Sequence, residues 1–282
     1  MRLPTYLAGA GLCLFAPFAT ANVATELVIA FDDSGSISEG GTDGPEIETI
    51  LSSISNFFTS SSGQQAIIDN GGLAVGLIRF GDAFAGGFVP QVNTFIGDDA
   101  FDLTDGDDLF EVTDAASANA FAAMVPAGRP FTPSYQTLTS PQLGIEGGND
   151  ILNASTRTGT ERFILVIGDG PQAAPDADGS ETEDARIDAV NDGITVAGLE
   201  INDNDDFYES FVVSSNIFAE VDLEGAPGDP ATDAAVAEYQ AAFDELMFEI
   251  LGANIPEPGT YAAIFGGLAG LLVLARRRFC KS

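Results

Sequence analysis

The sequence predicts a three-layer α/β domain with a mostly parallel central sheet flanked by helices. Three observations lead there. Short apolar runs of strand length alternate along the chain with segments whose apolar residues recur at helical spacing. The runs TELVIAFD (Thr25 to Asp32), GLAVGLIRF (Gly72 to Phe80) and RFILVIGDG (Arg162 to Gly170) are apolar almost throughout, which marks strands buried on both faces. The region they occupy, about 230 residues between two unlike ends, is long enough for one domain with a full core.

Each element follows from its own pattern. After the first strand, PEIETILSSISNFFTS sets Ile47, Ile50, Leu51, Ile54 and Phe57 at helical spacing, so a helix starts near Pro45. The second strand is GLAVGLIRF, and GGFVPQVNTFI contains a third whose proline places it at an edge. GDDAFDLTDGDDLFEV reads as an acidic surface loop or hairpin; its DLTDGDD lacks the spacing of an EF-hand loop, so a solvated turn is favoured over a calcium site. TDAASANAFAAMV is a helix capped by Thr113 or Asp114. A loop rich in hydroxyls and prolines, PAGRPFTPSYQTLTSP, leads to a weaker helix through Leu143, Ile151 and Leu152. RFILVIGDG is the next strand, ETEDARIDAVNDG a helix, ITVAGLEI a strand, and SNIFAEV one more. TDAAVAEYQAAFDELMFEIL (Thr232 to Leu251) is a long amphipathic helix that closes the domain. No internal repeat interrupts this order.

The two ends read differently from the body. Arg2, the apolar LAGAGLCLFAPF and the small-residue ATA form a secretory signal over residues 1–21, cut after Ala21. Leu12 stands before Cys13 where a lipidation site calls for a small residue. The domain proper covers 22–252. A linker at 253–259 carries Pro256, Glu257 and Pro258, and an apolar segment follows at 260–275. That segment is at the short limit of the roughly 17–25 residues a membrane span needs. The basic tail at 276–282, with Arg276, Arg277 and Arg278, fits a cytoplasmic end.

Composition removes whole classes of chemistry. There is no histidine, which excludes a Ser-His-Asp triad, a Cys-His pair and histidine-ligated zinc or copper. Both cysteines, Cys13 and Cys280, lie in the end segments, so the body holds no disulfide and no thiol chemistry. The formal net charge is -33, and the body's only basic residues are Arg79, Arg129, Arg157, Arg162 and Arg186. Such a surface repels nucleic acid and anionic lipid, and it attracts divalent cations and basic partners.

The chemistry concentrates at strand ends. In LVIAFDDSGSIS an apolar strand stops at Asp32 and Asp33, and Ser34, Ser36 and Ser38 follow. Ligands of parallel α/β sheets bind beyond the carboxyl ends of the strands. A second strand also ends in an aspartate, Asp169, and neighbouring strand ends would bring the two carboxylates together. Ser34 and Ser36, two apart in the turn, can present both hydroxyls to one side. These oxygens make a hard site suited to Mg²⁺, Ca²⁺ or Mn²⁺. The competing reading is a turn that caps the next helix. Capping accounts for one hydroxyl or carboxylate but not for Asp169, which favours the metal.

Asp32-x-Ser34-Gly35-Ser36 after an apolar strand resembles the metal-ion-dependent adhesion site (MIDAS) of von Willebrand factor A domains, and LVIGDG resembles their later strand with its metal-linked aspartate. TDAASANAFAAMV, RPF and RFILVIGDGP are similar to a bacterial branch of these proteins. The resemblance implies a Rossmann-like von Willebrand A fold in which Ser34 and Ser36 ligate the ion and Asp32 and Asp169 stand near it. It also implies a threonine from the intervening loop, where this chain lacks the usual GGT. Thr132, Thr137 and Thr139 are the candidates. Thr137 keeps a six-residue step to a helix leucine, Leu143, and is chosen, with Thr132 second. Pro141 departs from the family's smooth entry into its helix.

The tail, with Pro-Glu-Pro, an apolar segment and an arginine cluster in that order, resembles the PEP-CTERM sorting signal. That implies transient membrane anchoring and processing by an exosortase. The function expected is therefore an exported, cell-surface or matrix binding module, not an enzyme, whose divalent metal coordinates an acidic side chain of a protein partner. A structural matrix protein whose metal only stabilises the fold is the alternative. A metal-dependent hydrolase, with Asp33 as spare carboxylate, ranks lower: aspartyl phosphatases need Asp-x-Asp and a lysine, and the body has DDS and no lysine.

Overall fold

The computed structural model describes residues 23–32, 45–84, 88–96, 109–125, 136–138, 141–158, 160–169, 179–201, 207–223 and 232–252. The predicted signal, linker, apolar tail and basic end lie outside them. Among the described residues no helix is long and apolar enough to cross a membrane.

The sheet is built on β1 (Thr25–Asp32), which is buried along its whole length. It runs parallel to β2 (Leu73–Phe84) on one side and to β6 (Glu161–Gly168) on the other. Beyond β6 follow β7 (Thr195–Ile201) and β8 (Phe218–Val221), both parallel. The other edge is antiparallel, with β3 (Phe88–Ile96) on β2, and the strand order is β3-β2-β1-β6-β7-β8. Pro90 of β3 therefore sits on an edge strand, as its missing N–H requires.

Side chains alternate between two cores. Leu27, Ile29 and Phe31 enter one, with α1 (Pro45–Thr59), α2 (Ser61–Asn70), α3 (Ala115–Met124) and α6 (Asp233–Ile250) over it. Val28 and Ala30 enter the other, covered by α4 (Pro141–Ala154), α5 (Ser180–Asn191) and a π-helical turn, Tyr208–Val212. Two covered faces explain why β1, β2 and β6 are apolar runs without alternation. The three-layer, mostly parallel architecture predicted from sequence is the one observed.

Capping followed local chemistry. Asp114 caps α3, its carboxylate accepting from the N–H of Ser117 while Ser117 Oγ accepts from the N–H of Asp114, and Thr232 caps α6. Pro141 opens α4 instead of disturbing it, because the first turn of a helix has no use for the N–H that proline lacks.

Four elements were not foreseen. The helix α2 buries only Gly63, Ala66 and Ile67, too few for a periodic signal, and is started by Ser60, whose Oγ accepts from the N–H of Gly63. The segment read as an acidic loop or hairpin ends in a strand, β4 (Phe110–Val112), that pairs antiparallel with β2. The hydroxyl-rich loop contains β5 (Gln136–Leu138), also antiparallel to β2. Three residues are too few to show a period of two. The π-helical turn is the fourth.

Candidate metal centre

Asp32 is the last residue of β1 and is fully buried. Its position follows from the register: Phe31 pairs with Ile167, so Asp32 comes level with Gly168, the end of β6. A Cβ placed on Gly168 would stand 3.1 Å from Asp32 Cβ and 3.4 Å from its Oδ2. The first carboxylate therefore rests against the end of β6. Asp169 follows Gly168 directly and is half-buried. The two aspartates thus come from the carboxyl ends of adjacent parallel strands, as the sequence predicted.

The placement of β5 adds the third side. On β2, Asp82 pairs with Leu138 and Ala83 with Gln136. The opposite edge of the same two residues is taken by β3, through Pro90 and Val89. So β5 uses the edge that β1 occupies as far as the Asp32–Phe80 pair. Its backbone continues the line of β1 just past Asp32 and carries Thr137 there. Ser34, Ser36, Asp33, Thr132 and Thr139 lie outside the described residues.

Two residues next to Gly168 escaped the sequence reading. Glu200 of β7 is buried, 2% exposed, and its Oε1 accepts from the N–H of Tyr208 at 3.3 Å. Tyr208 is fully buried, and its Oη would lie 2.4 Å from a Cβ on Gly168. The available signal was a glutamate inside the apolar run ITVAGLEI, together with Gly198 two residues earlier. Without the fold, neither pointed to Asp32.

The residues present fit a hard cation. Carboxylates at the mouth of a parallel sheet are oxygen donors of the type Mg²⁺, Ca²⁺ and Mn²⁺ prefer. A carboxylate withdrawn from water needs a compensating group, and a divalent ion is one. Among the described residues no three or more His, Cys, Asp or Glu side chains form a metal cluster.

No protein-family model and no curated protein matches the chain. Solved structures do. Proximal thread matrix protein 1 from the mussel byssus, in a form described as having a zinc-occupied MIDAS motif, is 13% identical, with a TM-score of 0.53 over 83% of this chain and 49% of that one. The pilus adhesin SpaC from Lactobacillus rhamnosus GG is 17% identical over 79% of this chain, with a TM-score of 0.47. The von Willebrand factor domain of the pilus tip protein Mfa5 from Porphyromonas gingivalis is 11% identical over 81% of this chain, with a TM-score of 0.48. The chain spans 30% of the adhesin's length and about half that of the thread protein. At these identities the likeness concerns the fold alone. That fold is a three-layer, Rossmann-like arrangement with helices on both faces of a mostly parallel sheet.

Proposed function

We propose that this protein is an exported binding module whose divalent-metal centre, held by Asp32, Ser34, Ser36, Thr137 and Asp169, coordinates an acidic side chain of a protein partner. The observation that carries this reading is the meeting of Asp32 and the Asp169 segment at adjacent strand ends, with β5 running past them. Ser34 and Ser36, two and four residues beyond Asp32, are the nearest hydroxyl donors in sequence. An ion held there would supply local positive charge on a chain of net charge -33, so an acidic partner could be met despite the surrounding field. Mg²⁺ or Ca²⁺ is the expected ion, with Mn²⁺ an acceptable substitute.

Residues 1–21 serve export in this reading, and 253–282 act as a sorting signal that anchors the chain at the membrane until an exosortase-type enzyme processes it. The place of action is the cell surface or an extracellular matrix. Nucleic acid is not a partner, and the chain is not an enzyme.

Calorimetry with Mg²⁺ and Ca²⁺ tests the centre: saturable binding is expected, weakened at least tenfold in Ser34→Ala. Absence of saturable binding by the wild type would overturn the reading. A second reading, a matrix protein whose ion only stabilises the fold, draws on the likeness to a byssal thread matrix protein. Cell-surface pull-downs with wild type and Ser34→Ala, with and without EDTA, separate the two. Loss of partner capture at unchanged thermal stability supports recognition through the ion.

A further inference from the structure

One asparagine joins the first strand of the body to its last helix. Asn70 ends α2, and its Oδ1 accepts from Thr25 Oγ1, at the start of β1, at 3.1 Å. Its Nδ2 donates to the carbonyl oxygen of Leu251, the C-cap of α6, at 2.7 Å. The last carbonyls of a helix have no partner within it, so this amide answers one of them. Thr25 and Leu251 are buried, while Asn70 itself is half-buried. An amide can hold both ends because it carries a donor and an acceptor; a carboxylate carries acceptors alone.

The same residue stands before Gly71, in the only Asn-Gly pair of the chain. Asparagine is thermolabile, and a following glycine has no Cβ to shield its backbone nitrogen. The reaction open to the pair is loss of the side-chain amide. The Gly71 nitrogen gives its proton to solvent and attacks Asn70 Cγ; the N–Cγ bond forms, the Cγ–Nδ2 bond breaks, and ammonia leaves. Water then opens the ring imide at either carbonyl, giving aspartate or isoaspartate, and nothing is oxidised or reduced. In the folded chain both reacting groups are engaged. The Gly71 N–H donates to the Ile68 carbonyl at 3.1 Å, and the Asn70 amide is held at its oxygen and its nitrogen.

We propose that Asn70 is a deamidation site: its reaction waits on the opening of this latch and, once complete, leaves the end of α6 unlatched from β1. An aspartate at position 70 has no N–H for the Leu251 carbonyl. It also sets a second negative charge, beside Asp69, at the carboxyl end of α2, where the helix dipole disfavours it. Isoaspartate lengthens the backbone two residues before Gly72, whose carbonyl accepts from the N–H of Ala24 at 3.2 Å. It therefore disturbs the entry to β1 as well.

The test is incubation of the full chain in mildly alkaline buffer, with peptide mass spectrometry following conversion at residue 70. Conversion in native buffer should run at least about tenfold slower than in denaturant, because only the opened latch reacts. Thr25→Val removes one end of the latch and should speed the native rate about fivefold while leaving the denatured rate unchanged. Asn70→Asp, the product made directly, should speed amide hydrogen exchange at Leu251 and Gly252 about fivefold, with Phe121 of α3 unchanged. No conversion at residue 70 in native buffer would overturn the site. A native rate equal to the denatured one, or unmoved by Thr25→Val, would overturn the latch. Unchanged exchange at the end of α6 in Asn70→Asp would overturn the unlatching. If Asn70→Asp does not fold, the same exchange is read in Thr25→Val, with the same expectation.

Discussion

Glu26 and Asp32 stand at opposite ends of β1, on the same face of the sheet, and are almost equally inaccessible, at 1% and 0% exposed. Their surroundings differ in kind. At the amino end, Glu26 accepts hydrogen bonds from Ser155 Oγ and, at 2.6 Å, from Thr160 Oγ1, and lies 3.8 Å from Arg157. Arg157 in turn makes a 2.9 Å ion pair with Glu111 of β4. These groups come from the connection between α4 and β6 and from a neighbouring strand, so the fold itself answers this charge. At the carboxyl end, Asp32 rests against the end of β6 at Gly168, which the phenol of Tyr208 also approaches, and lies just short of the line of β5. One buried carboxylate clamps a loop to the sheet, and the other faces the place where parallel sheets bind ligands. A buried charge is therefore not by itself a sign of function; the end of the strand decides.

Substitutions can break this contrast. The largest effect is expected for Glu26→Ala, which leaves two hydroxyls without their acceptor and removes one of the two carboxylates near Arg157, and should cost about 3 kcal/mol of stability. Chemical denaturation would show that loss while Mg²⁺ affinity, measured by calorimetry, stays unchanged. Gly168→Ala strikes the other end. Its methyl would meet Tyr208 Oη and Asp32 Cβ at the distances above, costing about 2 kcal/mol through overpacking, and ion affinity should fall together with the denaturation midpoint.

Asp32→Asn sharpens the contrast from the functional side. Its denaturation midpoint in EDTA should move less than that of Glu26→Ala. The gain in stability that the wild type shows with Mg²⁺, about 2.7 kcal/mol at a hundredfold excess over Kd, should disappear. The smallest effect belongs to neither end. Tyr239 is fully buried in the other core and its hydroxyl finds no partner among the described residues, so Tyr239→Phe should raise stability by about 1 kcal/mol.

Tyr239 also predicts a pH dependence. Burial raises its pKa well above the ordinary 10.0, so the folded chain keeps the phenol neutral where the unfolded chain ionises. Its contribution is complete below the ordinary pKa and is lost as pH rises above it, at about 1.4 kcal/mol per unit. Denaturation midpoints measured over about one pH unit on either side of the ordinary phenol value should fall less steeply in Tyr239→Phe than in the wild type.

Much of the frame was legible because two covered faces turn a strand into an unbroken apolar run. A charged residue that ends such a run is then conspicuous, and Asp32 and Asp169 stood out for that reason. The edges were less legible: β4, β5 and α2 owe their conformation to what they pair with or cap against, not to their own pattern. Tyr208 was invisible for a related reason. A tyrosine in DDFYESF carries no mark of what its hydroxyl will face.

What the sequence determined by itself was the order of the longer strands and helices, the two aspartates at strand ends, the absence of histidine and body thiols, and hence the hard-oxygen character of any metal site. Those are local properties, written in burial patterns and composition. Tertiary structure alone decided that β6 lies beside β1, that β5 runs past Asp32 with Thr137 in its backbone, and that the phenol of Tyr208 and the Asp32 carboxylate both approach Gly168. Each of these joins residues far apart in the chain, and only strand pairing and close packing hold such groups within contact.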